Sequence, residues 1–360
     1  MKKVFISDCE GPISKNDNAF ELTAHYVPNG EQLFTVISRY DDVLAEVVKK
    51  PGYKAGDTLK LILPFLKAYG VTDRKMRNFS AKTLLLISNV KESLAFIRKV
   101  AHTFVVSTSY EHYIRALCQA INFPFENIYC TKVKMDKYSL CQKERNRLRE
   151  LAAEIAKMPV IEIPKGASSI QDFPKQHQQI IRRLDEIFWE EIAKMDIGKV
   201  FNEVNPVGGR EKAEAVMQIA RNLGVSLSRV VYVGDSITDV EAFKTVRGGG
   251  GLTISFNGNE YAIREAEIAI MSEKALVTAL LTAVFCKFGK EGVFELVNNW
   301  SFERLRELDV DTELKNKFFE AYGEKLPHAE IVTAANMERL AKESIAFRKT
   351  VRGEAIGRLG

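Results

Sequence analysis

Lys3-Val4-Phe5-Ile6-Ser7-Asp8-Cys9-Glu10-Gly11-Pro12 is an apolar run that ends in two acids one residue apart. A buried strand with this ending delivers both carboxylates to its C-terminal edge, where they can hold a metal ion and approach a phosphate. A second apolar run, Val230 to Gly234, ends in Asp235-Ser236-Ile237-Thr238-Asp239. In a parallel sheet the two acidic ends meet on one edge.

Between these runs, short β-branched and aromatic stretches alternate with longer helical patterns, which predicts an α/β fold with a Rossmann-like parallel sheet covered by helices. The predicted strands are Val4–Ser7, Phe104–Ser107, Asn127–Cys130, Val230–Gly234 and Leu252–Ser255. Apolar residues at helical spacing place crossover helices at Lys91–Val100, Tyr113–Ile121, Glu211–Gly224 and Asp239–Lys244.

Two insertions interrupt the alternation, and both are too long to be loops. The core is expected in residues 1–14, 90–134 and 205–272. Residues 15–89 are expected to form a helical cap, with amphipathic helices at Leu33–Lys49 and Thr58–Ala68. Residues 135–204 read as a second, charged helical insertion, Gln142–Lys157 and Gln176–Lys194, joined through a segment from Pro159 to Pro174. Solvated helices forming a homodimer contact or an arm are as good a reading of it as a role over the active site, and its long charged helices could also be the contact surface for a protein partner. Residues 273–360 read as a helical extension without strands, and its basic end, Arg348 to Arg358, as a frayed tail.

Composition narrows the class. The net charge of +5 in 360 residues is too small to imply nucleic-acid binding and suits a small anionic substrate. Five widely spaced cysteines with no C-x-x-C pair argue against a disulfide framework and a structural zinc site, so a reducing cytoplasm is the expected setting. The longest apolar run, Ala275 to Cys286, is short of the roughly 20 residues a membrane span needs. Asp8 and Glu10 also interrupt any signal segment at the N-terminus. The five histidines form no ligand pair, and Gly248-Gly249-Gly250-Gly251 lacks the Lys-Ser or Lys-Thr of a phosphate loop.

Four stretches in order, Asp8-Cys9-Glu10-Gly11, Val105-Val106-Ser107-Thr108-Ser109, Gly209-Arg210-Glu211-Lys212-Ala213-Glu214-Ala215 and Gly234-Asp235-Ser236-Ile237-Thr238-Asp239, resemble the four motifs of the haloacid dehalogenase superfamily. The likeness covers about half the chain and is strongest to the phosphoserine phosphatase-like branch. The Asp-Cys-Glu-Gly-Pro wording further resembles an archaeal subgroup, some members of which are labelled as a subunit of an energy-converting hydrogenase.

The resemblance implies a Mg²⁺-dependent phosphomonoester hydrolase acting on a small phosphorylated metabolite. Asp8 would be the nucleophile. Ser107, Thr108 and Lys212 would hold the phosphoryl group, and Asp8, the Glu10 carbonyl, Asp235 and Asp239 would hold the ion. Hard oxygen ligands suit that ion, and a compact ammonium suits phosphate.

Glu10 departs from the pattern, since these phosphatases usually carry Asp two residues after the nucleophile as general acid and base. The extra methylene moves the carboxylate by about 1 Å, and a displacement of that order can cost ~10²-fold in rate. Either Gly11 and Pro12 reshape the turn, or turnover is slow. Glu10 and the hydrogenase label also motivate the rival reading, a binding or assembly subunit that keeps the fold without turnover. Cys9 points to the opposite side of the strand and reads as packing. Asp17 and Lys60 fall where serine-selective members carry charged cap residues, but no motif carries those roles across.

Overall fold

The computed structural model describes residues 2–357, so Arg358 of the basic tail lies outside the described residues. Seven strands form one sheet: β1 (Lys3–Ser7), β2 (Ala101–Tyr110), β3 (Ile128–Thr131), β4 (Val230–Gly234), β5 (Leu252–Phe256), β6 (Ile268–Met271) and β7 (His328–Ile331). Their spatial order is β3-β2-β1-β4-β5-β6-β7, all parallel except the β6–β7 pair. The α/β reading of the sequence therefore stands, with the sheet two strands longer than predicted.

The strand order places β1 in the interior of the sheet, with β2 and β4 as its neighbours. The chain leaves β1 for β2 on one side and later returns to β4 on the other. At such a switch point the loops after the strands diverge and leave a crevice at their C-terminal ends. Apolar side chains fill both faces of the sheet. Val4, Ile6, Val106, Val230 and Tyr232 pack on one face, while Phe5, Val105, Val231 and Ile254 pack on the other. The near-continuous apolar strands seen in the sequence follow from this two-sided burial.

Strand β2 runs three residues past its predicted end. Ser107 pairs with Cys130 and Tyr110 with Thr131, so Thr108 and Ser109 bulge out of the β2–β3 ladder. A bulge bends its strand and re-aims its side chains, here beside the crevice.

The C-terminal region departs from the expected all-helical extension. Helix Leu276–Asn298 lies on one sheet face against helix Val90–Val100, with Leu276, Leu280 and Val284 in the core shared with Phe5 and Val231. Strand β7 then adds an antiparallel edge to β6. Its four residues, His-Ala-Glu-Ile, carry too little apolar pattern to announce a strand, and the free edge of β6 supplies what its own sequence lacks. The basic end is not frayed. It forms helix Met337–Arg352, which buries Leu340, Ser344, Arg348 and Arg352.

The two insertions do not form separate modules. Leu33, Ile37, Tyr40 and Phe65 from the first share one apolar core with Leu148, Leu184, Phe188 and Phe201 from the second. Tyr40 joins them by donating to Asp185 Oδ1 at 2.6 Å and accepting from Trp189 Nε1 at 2.9 Å. Its ring also stacks on Phe188, with centroids 5.8 Å apart. The apolar stripes that each insertion shows in sequence therefore face each other and make a single cap. The cap meets the sheet where the Tyr110 hydroxyl donates to the Leu59 carbonyl at 2.5 Å, and where Lys54 pairs with Glu211 and Asn205.

Among the described residues no helix is long and apolar enough to cross a membrane. The Ala275 to Cys286 run is instead part of the core under the sheet.

Phe188 is fully buried at the centre of the shared cap core. Phe188→Ala should cost about 3–5 kcal/mol of cap stability. Hydrogen exchange should then speed up in helix Gly30–Asp42 as well as around position 188. An effect confined to residues 135–204 would mean that the insertions fold independently.

Candidate active site

β1 and β4 end side by side, with Val4 paired to Val230 and Ser7 to Val233. The Asp8 N–H continues this ladder by donating to the Val233 carbonyl at 2.8 Å. The acids after both strands are thus fixed by backbone pairing before any side-chain contact is made. Asp8, Asp235 and Asp239 are buried, and each offers a carboxylate oxygen within 4.8 Å of the others.

Two glycines make the approach of these acids feasible. Gly11 has φ 109°, and a Cβ there would overlap the Asp235 carboxylate. A Cβ on Gly234 would overlap the Asp239 carboxylate in the same way. Asp239 then turns back on its own loop, accepting from the N–H groups of Asp235 at 3.0 Å and Ser236 at 3.1 Å.

Lys212 ties the two acidic ends together. From helix Arg210–Leu223 its ammonium donates to Asp8 Oδ2 at 2.7 Å and to Asp239 Oδ1 at 2.8 Å, and the side chain is wholly buried. The Tyr232 hydroxyl donates to the same Asp239 oxygen at 2.7 Å. Burial works against the Lys212 charge, but Asp239 and Asp8 outweigh it and raise the pKa above the ordinary lysine value. Asp8 feels the opposite balance. Burial pushes its carboxyl up to about 7, the Lys212 ammonium opposes this, and the charges of Asp239 and Asp235 add to the rise.

Glu10 lies on the wall of the same cavity, and its Oε1 accepts from the Asn18 N–H at 2.7 Å at the start of helix Asn18–Tyr26. Burial, reinforced by the charge of Asp17, raises its pKa well above the usual carboxylate range. A backbone donor thus holds the Glu10 carboxylate, and Gly11, with φ 109°, follows it in the turn. The Cys9 side chain is buried in the apolar core that includes Phe5, Ile13 and Ile87, and its N–H donates to Asp8 Oδ1 at 2.6 Å.

The phosphate-holding set divides. Thr108, in the bulge, lines the cavity, and its hydroxyl has no hydrogen-bond partner. Ser107 is buried, and its hydroxyl accepts from the Ser109 N–H at 3.2 Å. It is not among the residues lining the cavity, and neither is Lys212, which sits beneath Asp8. Lys60 does not line it either, because it pairs with Asp57 at 2.6 Å.

The cavity measures about 90 Å³ and is roofed by the cap residues Phe34, Ser38, Asp41, Asp42 and Thr58. Asp17, which caps helix Asn18–Tyr26 by accepting from Phe20 N–H at 2.9 Å, also lines it. Sequence reasoning missed Asp41, Asp42, Arg348 and Arg352. Arg348 and Arg352 both pair with Asp235 Oδ2, the latter at 3.0 Å. The available signal was the four-residue spacing of Leu340, Ser344, Arg348 and Arg352, a single helical face, which charge alone assigns to solvent.

The donor chemistry fits a hard divalent cation. Three convergent carboxylates are the ligand type such an ion takes, and among the described residues nothing donates to Asp235 Oδ1. The residues able to hold it are Asp8, Asp235 and Asp239, with the Glu10 carbonyl on the adjoining turn.

The chain has recognisable relatives. Residues 72–273 match the haloacid dehalogenase-like hydrolases, and the chain belongs to that family. It is similar over its whole length to a gene product of Archaeoglobus fulgidus, with 29% identity and a TM-score of 0.81, covering 100% of this chain and 99% of that one. A phospho-aspartyl intermediate analogue of phosphoserine phosphatase aligns over 76% of this chain and 95% of its own, at 13% identity and a TM-score of 0.46. Among curated protein sequences, none matches the chain.

Asp41 gives the cap a pH response. Its carboxylate is buried, with Oδ2 accepting from the Gly56 N–H at 2.9 Å and Oδ1 unpartnered. Burial pushes its pKa from 3.8 up to about 7, Asp57 and Asp42 add to the rise, and Tyr53 and Gly56 oppose it. Across that window the folded chain holds a proton that the unfolded chain has lost, so stability falls as pH rises from about 4 to about 7. Asp41→Asn should therefore melt a few degrees above the native chain at pH 8. The difference should vanish toward pH 4, and equal melting temperatures at both pH values would contradict the assignment.

Proposed function

We propose that this chain is a Mg²⁺-dependent phosphomonoester hydrolase acting on a small phosphorylated metabolite through an aspartyl-phosphate at Asp8. The observation that carries the reading is the meeting of Asp8, Asp235 and Asp239 within 4.8 Å over the buried ammonium of Lys212, with a second acid, Glu10, on the same cavity wall. Membership of the hydrolase family supports it. Phe34, Ser38, Asp41, Asp42 and Thr58 of the cap line the same cavity as the acids, which puts the cap in position to choose the substrate.

The chemistry follows from charge and position. An Asp8 oxygen attacks phosphorus, the ester P–O bond breaks in line, and the leaving oxygen takes the proton of Glu10. Water then attacks the phosphoryl group on Asp8, Glu10 takes its proton, and inorganic phosphate leaves with Asp8 restored. A Glu10 held above the usual carboxylate range has a proton to give in the first half. Lys212 keeps one Asp8 oxygen fixed while balancing charge, and the Thr108 hydroxyl, which has no hydrogen-bond partner, would donate to a phosphoryl oxygen. Bound Mg²⁺ would offset the carboxylate charge that otherwise repels the substrate dianion. The cap shields the acyl phosphate from bulk water between the two halves.

Phosphate release from an aryl phosphate and a panel of phosphorylated metabolites, with and without Mg²⁺, tests this reading. The native chain should turn over only with the ion. Asp8→Asn should abolish release, and Glu10→Gln should lower kcat by about 10²–10⁴-fold. Turnover that survives Asp8→Asn would place the nucleophile elsewhere. No release from the native chain on any substrate would favour a binding role.

A further inference from the structure

Helix Met337–Arg352 docks on the loops that carry the acids. The Ser344 hydroxyl donates to the Gly258 carbonyl at 2.6 Å. One turn later Arg348 Nη1 donates to Asp235 Oδ2 and reaches the carbonyls of Asp235 and Asn257, both at 3.3 Å. One further turn on, Arg352 Nη1 donates to the same Oδ2 at 3.0 Å. Its Nε donates to the Lys15 carbonyl at 2.9 Å and its Nη2 to the Asn16 carbonyl. Arg352 thereby spans the loop after β1 and the loop after β4.

Both arginine side chains are only 3% exposed. Burying a guanidinium is costly unless it is paired and its donors are used. Here the two converge on one carboxylate oxygen, while the other, Oδ1, receives no hydrogen bond among the described residues. A carboxylate clamped through one oxygen presents the other in a fixed direction. Outer partners of metal-binding carboxylates do this work in metal sites generally.

We infer that Arg348 and Arg352 are positioning residues for a divalent-cation site. They hold Asp235 by Oδ2 so that Oδ1 is aimed at the ion, which makes the C-terminal helix a working part of the site. The inference rests on the metal-dependent reading above. The opposing account is that the two guanidinium groups compete with the ion for Asp235. The accounts differ in sign, because linkage is reciprocal: an ion that uses the clamped carboxylate must tighten the helix, and an ion that displaces the arginines must loosen it.

The test uses the full chain and Mn²⁺, with free ion followed by electron paramagnetic resonance. Arg348→Met and Arg352→Met should each weaken Mn²⁺ binding about 10–100-fold. Arg352→Lys, which keeps the charge without the planar fork, should recover part of the loss. Saturating the native chain with Mn²⁺ should slow hydrogen exchange in Met337–Arg352 more than in helix Thr312–Tyr322, and this arm stands even if a variant fails to fold. Unchanged or tighter binding in the variants, or faster exchange of the C-terminal helix on saturation, would overturn the inference alone. A native chain that binds no Mn²⁺ would overturn the metal-dependent reading, and this inference with it.

Discussion

The contact on which the rest of the site depends is the buried ammonium of Lys212 between Asp8 and Asp239. Without it the ends of β1 and β4 would bring three carboxylates together in a region closed to water. Isolated charges cannot be buried there cheaply, and removing one partner of such a set typically costs about 3–5 kcal/mol. The lysine reaches the site only because its helix starts beside the Asp239 loop, where the Gly209 N–H donates to the Thr238 carbonyl at 2.9 Å. Sheet order, the two close-approach glycines and this helix start are therefore one constraint seen from three sides.

A second layer of charge surrounds the first. Arg348 and Arg352 bring two more cations to Asp235, while Glu10 and Asp17 add acid beside them. Lys212 holds one oxygen each of Asp8 and Asp239, the two arginines hold Asp235 Oδ2, and Asp235 Oδ1 receives no hydrogen bond among the described residues. Such an arrangement suits a site that must hold a cation and admit a phosphate dianion, since each charge is countered within a few ångströms in a medium of low dielectric. The cap residues line one side of the site, and the cap core draws on both insertions.

Much of this was legible in the sequence, for a physical reason. Buried parallel strands must be apolar throughout, so β1 and β4 announce themselves, and the acids ending them stand out against that background. Motif order singles out Asp8, Glu10, Lys212, Asp235 and Asp239, and the structure gathers these side chains at the ends of β1 and β4. Other features were hidden from a local reading. Strand β7 is short and half-exposed, and only the edge of β6 makes it a strand. The union of the two insertions depends on which apolar stripe faces which, and periodicity gives the stripe without its partner. Arg348 and Arg352 were hidden because a local reading sends arginine to solvent, whereas the buried charge that draws them inward is Asp235, 113 and 117 residues earlier in the chain.

Chemical trapping decides whether Asp8 carries the phosphoryl group. A turnover mixture is quenched in acid and reduced with borohydride, which converts an acyl phosphate into an alcohol, and the peptide spanning Ser7 to Lys15 is then sequenced by mass spectrometry. The account predicts homoserine at position 8 in the native chain and an unmodified residue in Asp8→Asn. Sustained phosphate release with aspartate recovered intact at position 8, or with the reduced residue at another carboxylate, would contradict it.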